Sequence, residues 1–131
     1  MNRREFFVGV TAVSFAALPS YADGARSTGV IFVGASWCPV CKQAAPMLNV
    51  FAQRHRIPVI VASHDGRPIE PFRQFVDGRS HPLAAPVRAL PTTFVYSSLI
   101  DGVVGGFEGY RNPQWFLGQL LDLTRQAEGL S

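Results

Sequence analysis

The sequence predicts an α/β fold with a central mixed four-stranded sheet flanked by helices, and three observations carry the prediction. Two apolar, β-branched runs, Thr28 to Ala35 and Ile57 to Ala62, bracket a stretch of helical periodicity, which is the order of a βαβ unit with parallel strands. Two further β-forming stretches, Thr92 to Tyr96 and Val103 to Phe107, meet at Leu99-Ile100-Asp101-Gly102 and read as an antiparallel hairpin. An amphipathic stretch opened by Asn112-Pro113 closes the chain. At 131 residues, 47% of them hydrophobic, the chain is long enough for one domain with one packed core.

The first 22 residues are set apart from that domain. Met1 to Phe7 is a basic n-region, Val8 to Leu18 is an apolar run of small residues, and Ser20-Tyr21-Ala22 has the form that precedes signal cleavage. Residues 1–22 are therefore expected to be a signal peptide cleaved after Ala22, and 23–131 the folded domain. Arg3-Arg4 followed by Phe6-Phe7 resembles a twin-arginine export signal. The apolar run is well short of the roughly 20 residues that a membrane span needs. Export to an oxidising compartment, the periplasm, is the implied location, and an even cysteine count suits it.

The domain then follows in order. The first strand, Thr28 to Ala35, is apolar on both faces, as a central strand is. From Pro39 to about Arg54, Val40, Ala44, Met47, Leu48, Phe51 and Ala52 recur at helical spacing, with Pro46 inside the helix and expected to kink it. Ile57 to Ala62 is the second strand, and His64-Asp65-Gly66-Arg67 a turn. Pro68 to Val76 reads as a short helix with Pro68 in its first turn. Residues 77 to 89, broken by Gly78, Pro82 and Pro86, form a loop or broken helical excursion. Trp115, Phe116, Leu120, Leu121 and Leu123 give the last helix its apolar face.

The chemistry is concentrated in Trp37-Cys38-Pro39-Val40-Cys41-Lys42, which holds the chain's 2 cysteines. Two residues between them put both sulfurs on one face of a first helical turn, so they can bridge. A disulfide closing so short a loop removes little chain entropy, which suits a bond that opens and closes better than a staple. Pro39 fits the first helical position, leaving Cys38 at the helix N-terminus, where free N–H groups and the dipole favour a thiolate. Cys38 is the expected nucleophile, and Cys41, one turn inside, the resolving thiol. A metal site would need further ligands from His55, His64 and His81, whose spacing matches no zinc pattern. A copper chaperone using Cys38, Cys41 and His81 is the competing reading. His81 lies in the excursion, from which it can approach the cysteines; His55 and His64 sit at strand boundaries as solvated side chains, and no histidine is assigned a catalytic role.

With these features in order, the stretch from about Gly29 to Arg125 resembles the thioredoxin superfamily. Trp37-Cys38-x-x-Cys41-Lys42 is similar to its active-site motif, Pro46 to its helix-interior proline, and Leu90-Pro91-Thr92 to its cis-proline loop. The resemblance implies a thiol–disulfide oxidoreductase in which Trp37, Pro39, Leu90 and Pro91 contact a bound peptide and Lys42 and Pro46 support the cysteines. It implies no cofactor, a monomer acting on protein thiols and disulfides, and an upstream membrane or periplasmic redox partner. Trp37 before the motif and Lys42 after it look like the family's reductases, while the Cys-Pro-x-Cys form occurs in both reductases and oxidases, so a reductase is the expected direction with an oxidase left open. Three departures stand out. The extra first strand and helix of cytoplasmic members have no room here, so a near-minimal core is expected. Phe32 stands where the family places a buried acid that assists the resolving thiol. Residues 78 to 89 add length before Pro91.

Charge excludes less than it suggests. Removing residues 1–22 takes two of the 12 basic and one of the 9 acidic residues, so the net charge falls from +3 to +2. The arginines are dispersed, and nucleic acid is not an expected partner.

Overall fold

The computed structural model describes residues 27–129. The signal peptide expected over 1–22 lies outside the described residues. Strand β1 (Thr28–Gly34) leads into helix α1 (Pro39–His55), followed by β2 (Val59–Ser63), β3 (Val76–Asp77), β4 (Thr92–Ser97), β5 (Gly102–Glu108) and helix α2 (Pro113–Glu128). The five strands form one sheet in the order β3-β2-β1-β4-β5. β1 pairs parallel with β2 and antiparallel with β4, and β4 pairs antiparallel with β5. The sheet is thus the four expected strands with a two-residue strand added at one edge.

The pleat of β1 divides the core. Val30 and Phe32 face one side and pack with Ala44, Leu48 and Phe51 of α1 and Phe116 and Leu120 of α2. Ile31 and Val33 face the other side, where they meet Ala62 and Ala84, with Leu83, Val87 and Phe94 against them. Both helices therefore cover one face, and the excursion covers the other. The excursion is a run of turns held by Ala84 and Ala85 N–H groups donating to the His81 carbonyl. It leaves an apolar groove of about 540 Å³ at the start of β1, between Ile31, Pro58, Ile60, His81, Leu83 and Tyr96.

Helix α1 starts and stops where its sequence dictates. Pro39 occupies the first turn, and the helix runs through Pro46 without interruption. It ends at Arg56, left-handed at φ 56°, and the Ile57 N–H returns to the Ala52 carbonyl at 2.9 Å. This return occupies Ile57, so β2 begins two residues later than the apolar run does. Helix α2 is capped as expected, with the Trp115 N–H donating to Asn112 Oδ1 at 2.8 Å.

The helix expected over Pro68 to Val76 is absent. Pro68 and Pro71 both lack donors, and the residue before a proline is disfavoured in helical geometry, so Glu70 cannot continue a turn begun at Pro68. The segment instead holds a cis Glu70-Pro71 bond, buries Ile69, and ends as edge strand β3 against Ala62 and Ser63.

Candidate functional site

The turn from β1 to α1 sets the cysteines. The Cys38 N–H donates to the Ala35 carbonyl at 3.2 Å, which closes a turn at the end of the strand. Cys38 is the N-cap of α1, and its sulfur accepts the Cys41 N–H at 3.2 Å. One of the orphan donors of the first turn is thereby aimed at the expected nucleophile. Both cysteines are free thiols and both are buried, Cys38 at 5% exposure and Cys41 at 0%. Burial, then the hydrogen bond with Cys38, pushes the Cys41 thiol up to about 12. Cys41 is accordingly held as the protonated thiol.

Gly34 makes room for the Cys41 sulfur. A Cβ there would sit 3.0 Å from Cys41 Sγ and 3.1 Å from Ile69 Cδ1, so a side chain larger than hydrogen would displace the Cys41 sulfur. Phe32, two residues earlier on the same face, is fully buried in the cluster that holds both cysteines.

Beside the Cys38 sulfur lies the second loop. The Leu90-Pro91 bond is cis, and the Leu90 carbonyl is 3.9 Å from Cys38 Sγ. The loop is held by the Thr92 hydroxyl donating to the Ala89 carbonyl at 2.6 Å and by the Gly109 N–H donating to the Pro91 carbonyl at 2.7 Å. Trp37, 64% exposed, and the exposed Pro39 and Val40 flank the cysteines on the solvent side. Lys42 and Pro46 are exposed one turn along and line a cleft of about 600 Å³ with Ser36, Pro68, Ile69, Glu70 and Pro71. Cys38, Cys41, Trp37, Pro39, Leu90, Pro91 and Phe32 thus gather at one end of the sheet, with Lys42 and Pro46 beside them.

His81 does not join them. It borders the groove at the start of β1, whereas the cysteines follow the end of that strand, and its Nδ1 accepts the Leu83 N–H at 3.2 Å. Among the described residues no cluster of three or more histidine, cysteine or acidic side chains is placed to hold a metal ion. His64, expected as a solvated side chain, instead has its Nε2 2.8 Å from the Ala84 carbonyl, which pins the excursion to the end of β2. His55, expected likewise, stacks on Phe51 with ring centroids 4.4 Å apart.

Three polar residues at the site escaped the sequence reading. Asp65 accepts the Ser36 N–H at 3.1 Å, the Ser36 hydroxyl, and the Ser63 hydroxyl at 2.7 Å. The Ser63 hydroxyl in turn accepts the Arg67 N–H at 3.2 Å. Partial burial pushes the Asp65 carboxyl up, but the serine hydroxyls and the Ser36 N–H together outweigh it and hold the group down at about 2. A fixed carboxylate therefore clamps the turn that delivers Cys38. The available signal was topological: in a βαβ unit the residues after both parallel strands meet at the same edge of the sheet.

Known structures share this fold. The crystal structure of a putative thiol:disulfide interchange protein DsbE from Chlorobium tepidum superposes with a TM-score of 0.57 at 20% identity, over 78% of this chain and 83% of that one. A thio-disulfide isomerase from Thermus thermophilus matches with a TM-score of 0.55 at 29% identity, over 75% and 80%. The periplasmic thioredoxin SoxS from Paracoccus pantotrophus matches with a TM-score of 0.51 at 22% identity, over 76% and 98%. No curated protein sequence matches the chain. The family described as TraF, F plasmid transfer operon protein, matches residues 21–104, which include both cysteines and the cis-proline loop. The chain belongs to that thioredoxin-like TraF family.

Proposed function

We propose that the protein is an exported thiol–disulfide oxidoreductase that reduces disulfides in protein substrates through Cys38. The observation that carries the reading is the pairing of an N-cap sulfur, supplied with a backbone donor and lying beside the Leu90 carbonyl, with a buried sulfur one turn later. The Cys38 thiolate attacks a substrate disulfide and forms a mixed disulfide while one substrate sulfur leaves as a thiol. Cys41 then attacks the Cys38 sulfur, the Cys38–substrate bond breaks, and the second substrate sulfur leaves. Trp37, Pro39, Leu90 and Pro91 border the nucleophile and are the proposed peptide contacts. Export is supported by the pattern of residues 1–22, and a periplasmic setting also suits relatives such as SoxS, described as a periplasmic thioredoxin.

Insulin reduction driven by dithiothreitol tests the reading. Cys38→Ser is expected to remove the acceleration over dithiothreitol alone, and a Cys38→Ser protein as active as wild type would sink it. Equilibration with glutathione fixes the direction of electron flow, with a reduction potential below that of glutathione expected for a reductase.

A further inference from the structure

The resolving step sets a demand that the site described so far does not meet. Cys41 must lose its proton to attack, yet its sulfur is buried against Gly34 and Ile69 among apolar side chains, with Phe32 beneath. Its thiol is held up at about 12 by that burial and by the hydrogen bond with Cys38, and the backbone hydrogen bonds of Ala35 and Cys41, which pull the other way, do not offset them.

One polar side chain without a partner lies in this apolar layer. Thr93 is fully buried, and its Oγ1 is the one buried side-chain polar atom among the described residues with no hydrogen-bond partner. The register of β4 fixes which way it points. Thr93 lies directly opposite Phe32 on β1 and Phe107 on β5, and Val95, two residues on, belongs to the helix-side core. Thr93 therefore shares the helix-side face with Phe32, one step along the sheet from the Gly34 position over which Cys41 sits. An unpaired buried hydroxyl weakens a fold, and valine has nearly the same shape without that defect. A hydroxyl kept at this position needs a reason other than packing.

We propose that Thr93 is a positioning residue for the resolving step: its hydroxyl turns to the Cys41 sulfur as that sulfur becomes a thiolate and donates a hydrogen bond to it. In the resting dithiol the hydroxyl has no such bond. When the mixed disulfide forms, Cys38 no longer offers its thiolate, and Cys41 is the sulfur that must carry negative charge. The Cys41 thiolate then attacks Cys38, the Cys41–Cys38 bond forms, the Cys38–substrate bond breaks, and the departing substrate sulfur takes the electron pair and finally the proton that Cys41 gave up. No other oxidant or reductant enters. This inference rests on the proposed exchange through Cys38 and adds to it where the second sulfur draws its polar support.

The test follows decay of a mixed disulfide preformed between Cys38 and a nitrothiobenzoate dye, whose release by Cys41 is read by absorbance. Thr93→Val is expected to slow that decay about tenfold, the loss typical of one charge-assisted hydrogen bond. The rate at which Cys38 forms the mixed disulfide stays at the wild-type value, and the urea midpoint stays or rises. Thr93→Ser, which keeps the hydroxyl and loses a methyl, decays at close to the wild-type rate. Wild-type decay in a folded Thr93→Val protein overturns the proposal, as does a Thr93→Ser protein as slow as Thr93→Val, which would assign the effect to packing. Either result leaves exchange through Cys38 standing; a dye disulfide that never forms on Cys38 overturns both.

Discussion

Asp65 is the residue whose charge is most firmly fixed at the site. Its carboxyl lies at about 2, below the usual 3.8, because the folded state supplies three donors that the unfolded chain does not. The sign follows directly. A folded pKa below the unfolded one contributes stability that is complete above the unfolded value and lost as pH falls from about 4 to about 2. Asp65→Asn is expected to cost at most about 1 kcal/mol at neutral pH, since the group is only half-buried, and to flatten the acid limb of the stability curve. Urea unfolding at a series of pH values checks this, and parallel acid limbs for mutant and wild type would count against the clamp. The positions of Cys38, Cys41, Pro39 and Pro46 were legible one by one because each follows from its place along one helix. Asp65 and Thr93 were not, because their meaning comes from which strand lies beside which, and local spacing does not encode that.

Among the elements, α2 shows how far local chemistry reaches. Asn112 and Pro113 announced its start, and the Asn112 side chain does accept the Trp115 N–H, while Arg111 lies 5.0 Å from the Trp115 ring centre. Asn112→Ala is expected to destabilise the domain by about 1 kcal/mol and Asn112→Ser to restore most of it, read from urea midpoints. The segment from Pro68 to Val76 shows the opposite. A proline at a helix start is a good signal alone, but Pro71 three residues later contradicts it, and the nearby edge of β2 offered Val76 and Asp77 a ladder instead. The late start of β2 has a similar cause, since Ile57 is as apolar as a strand residue but its N–H is taken by the end of α1. The turns of the excursion were readable from their prolines, whereas their cover of the back of the sheet depends on Leu83, Ala84 and Val87 finding Ile31 and Val33.

At the scale of the molecule, the order of elements and the βαβ unit with its hairpin were readable because periodicity and connection rules leave few alternatives. The layering was not, since nothing local says that both helices take one face and a run of turns the other. The course of β1 has a further consequence. Ser27 enters at the groove end of that strand, and the cysteines leave at the other, roughly 20 Å away for seven residues of strand. A bead or surface attached at Ser27 itself would therefore lie at the end of β1 opposite the two cysteines. Protein immobilised through position 27 is therefore expected to reduce insulin at close to its rate in solution, whereas attachment at Val40 is expected to abolish it; equal losses from the two sites would contradict this orientation. The domain is in this sense a one-ended tool, with a handle at the start of its central strand and a working tip at the finish.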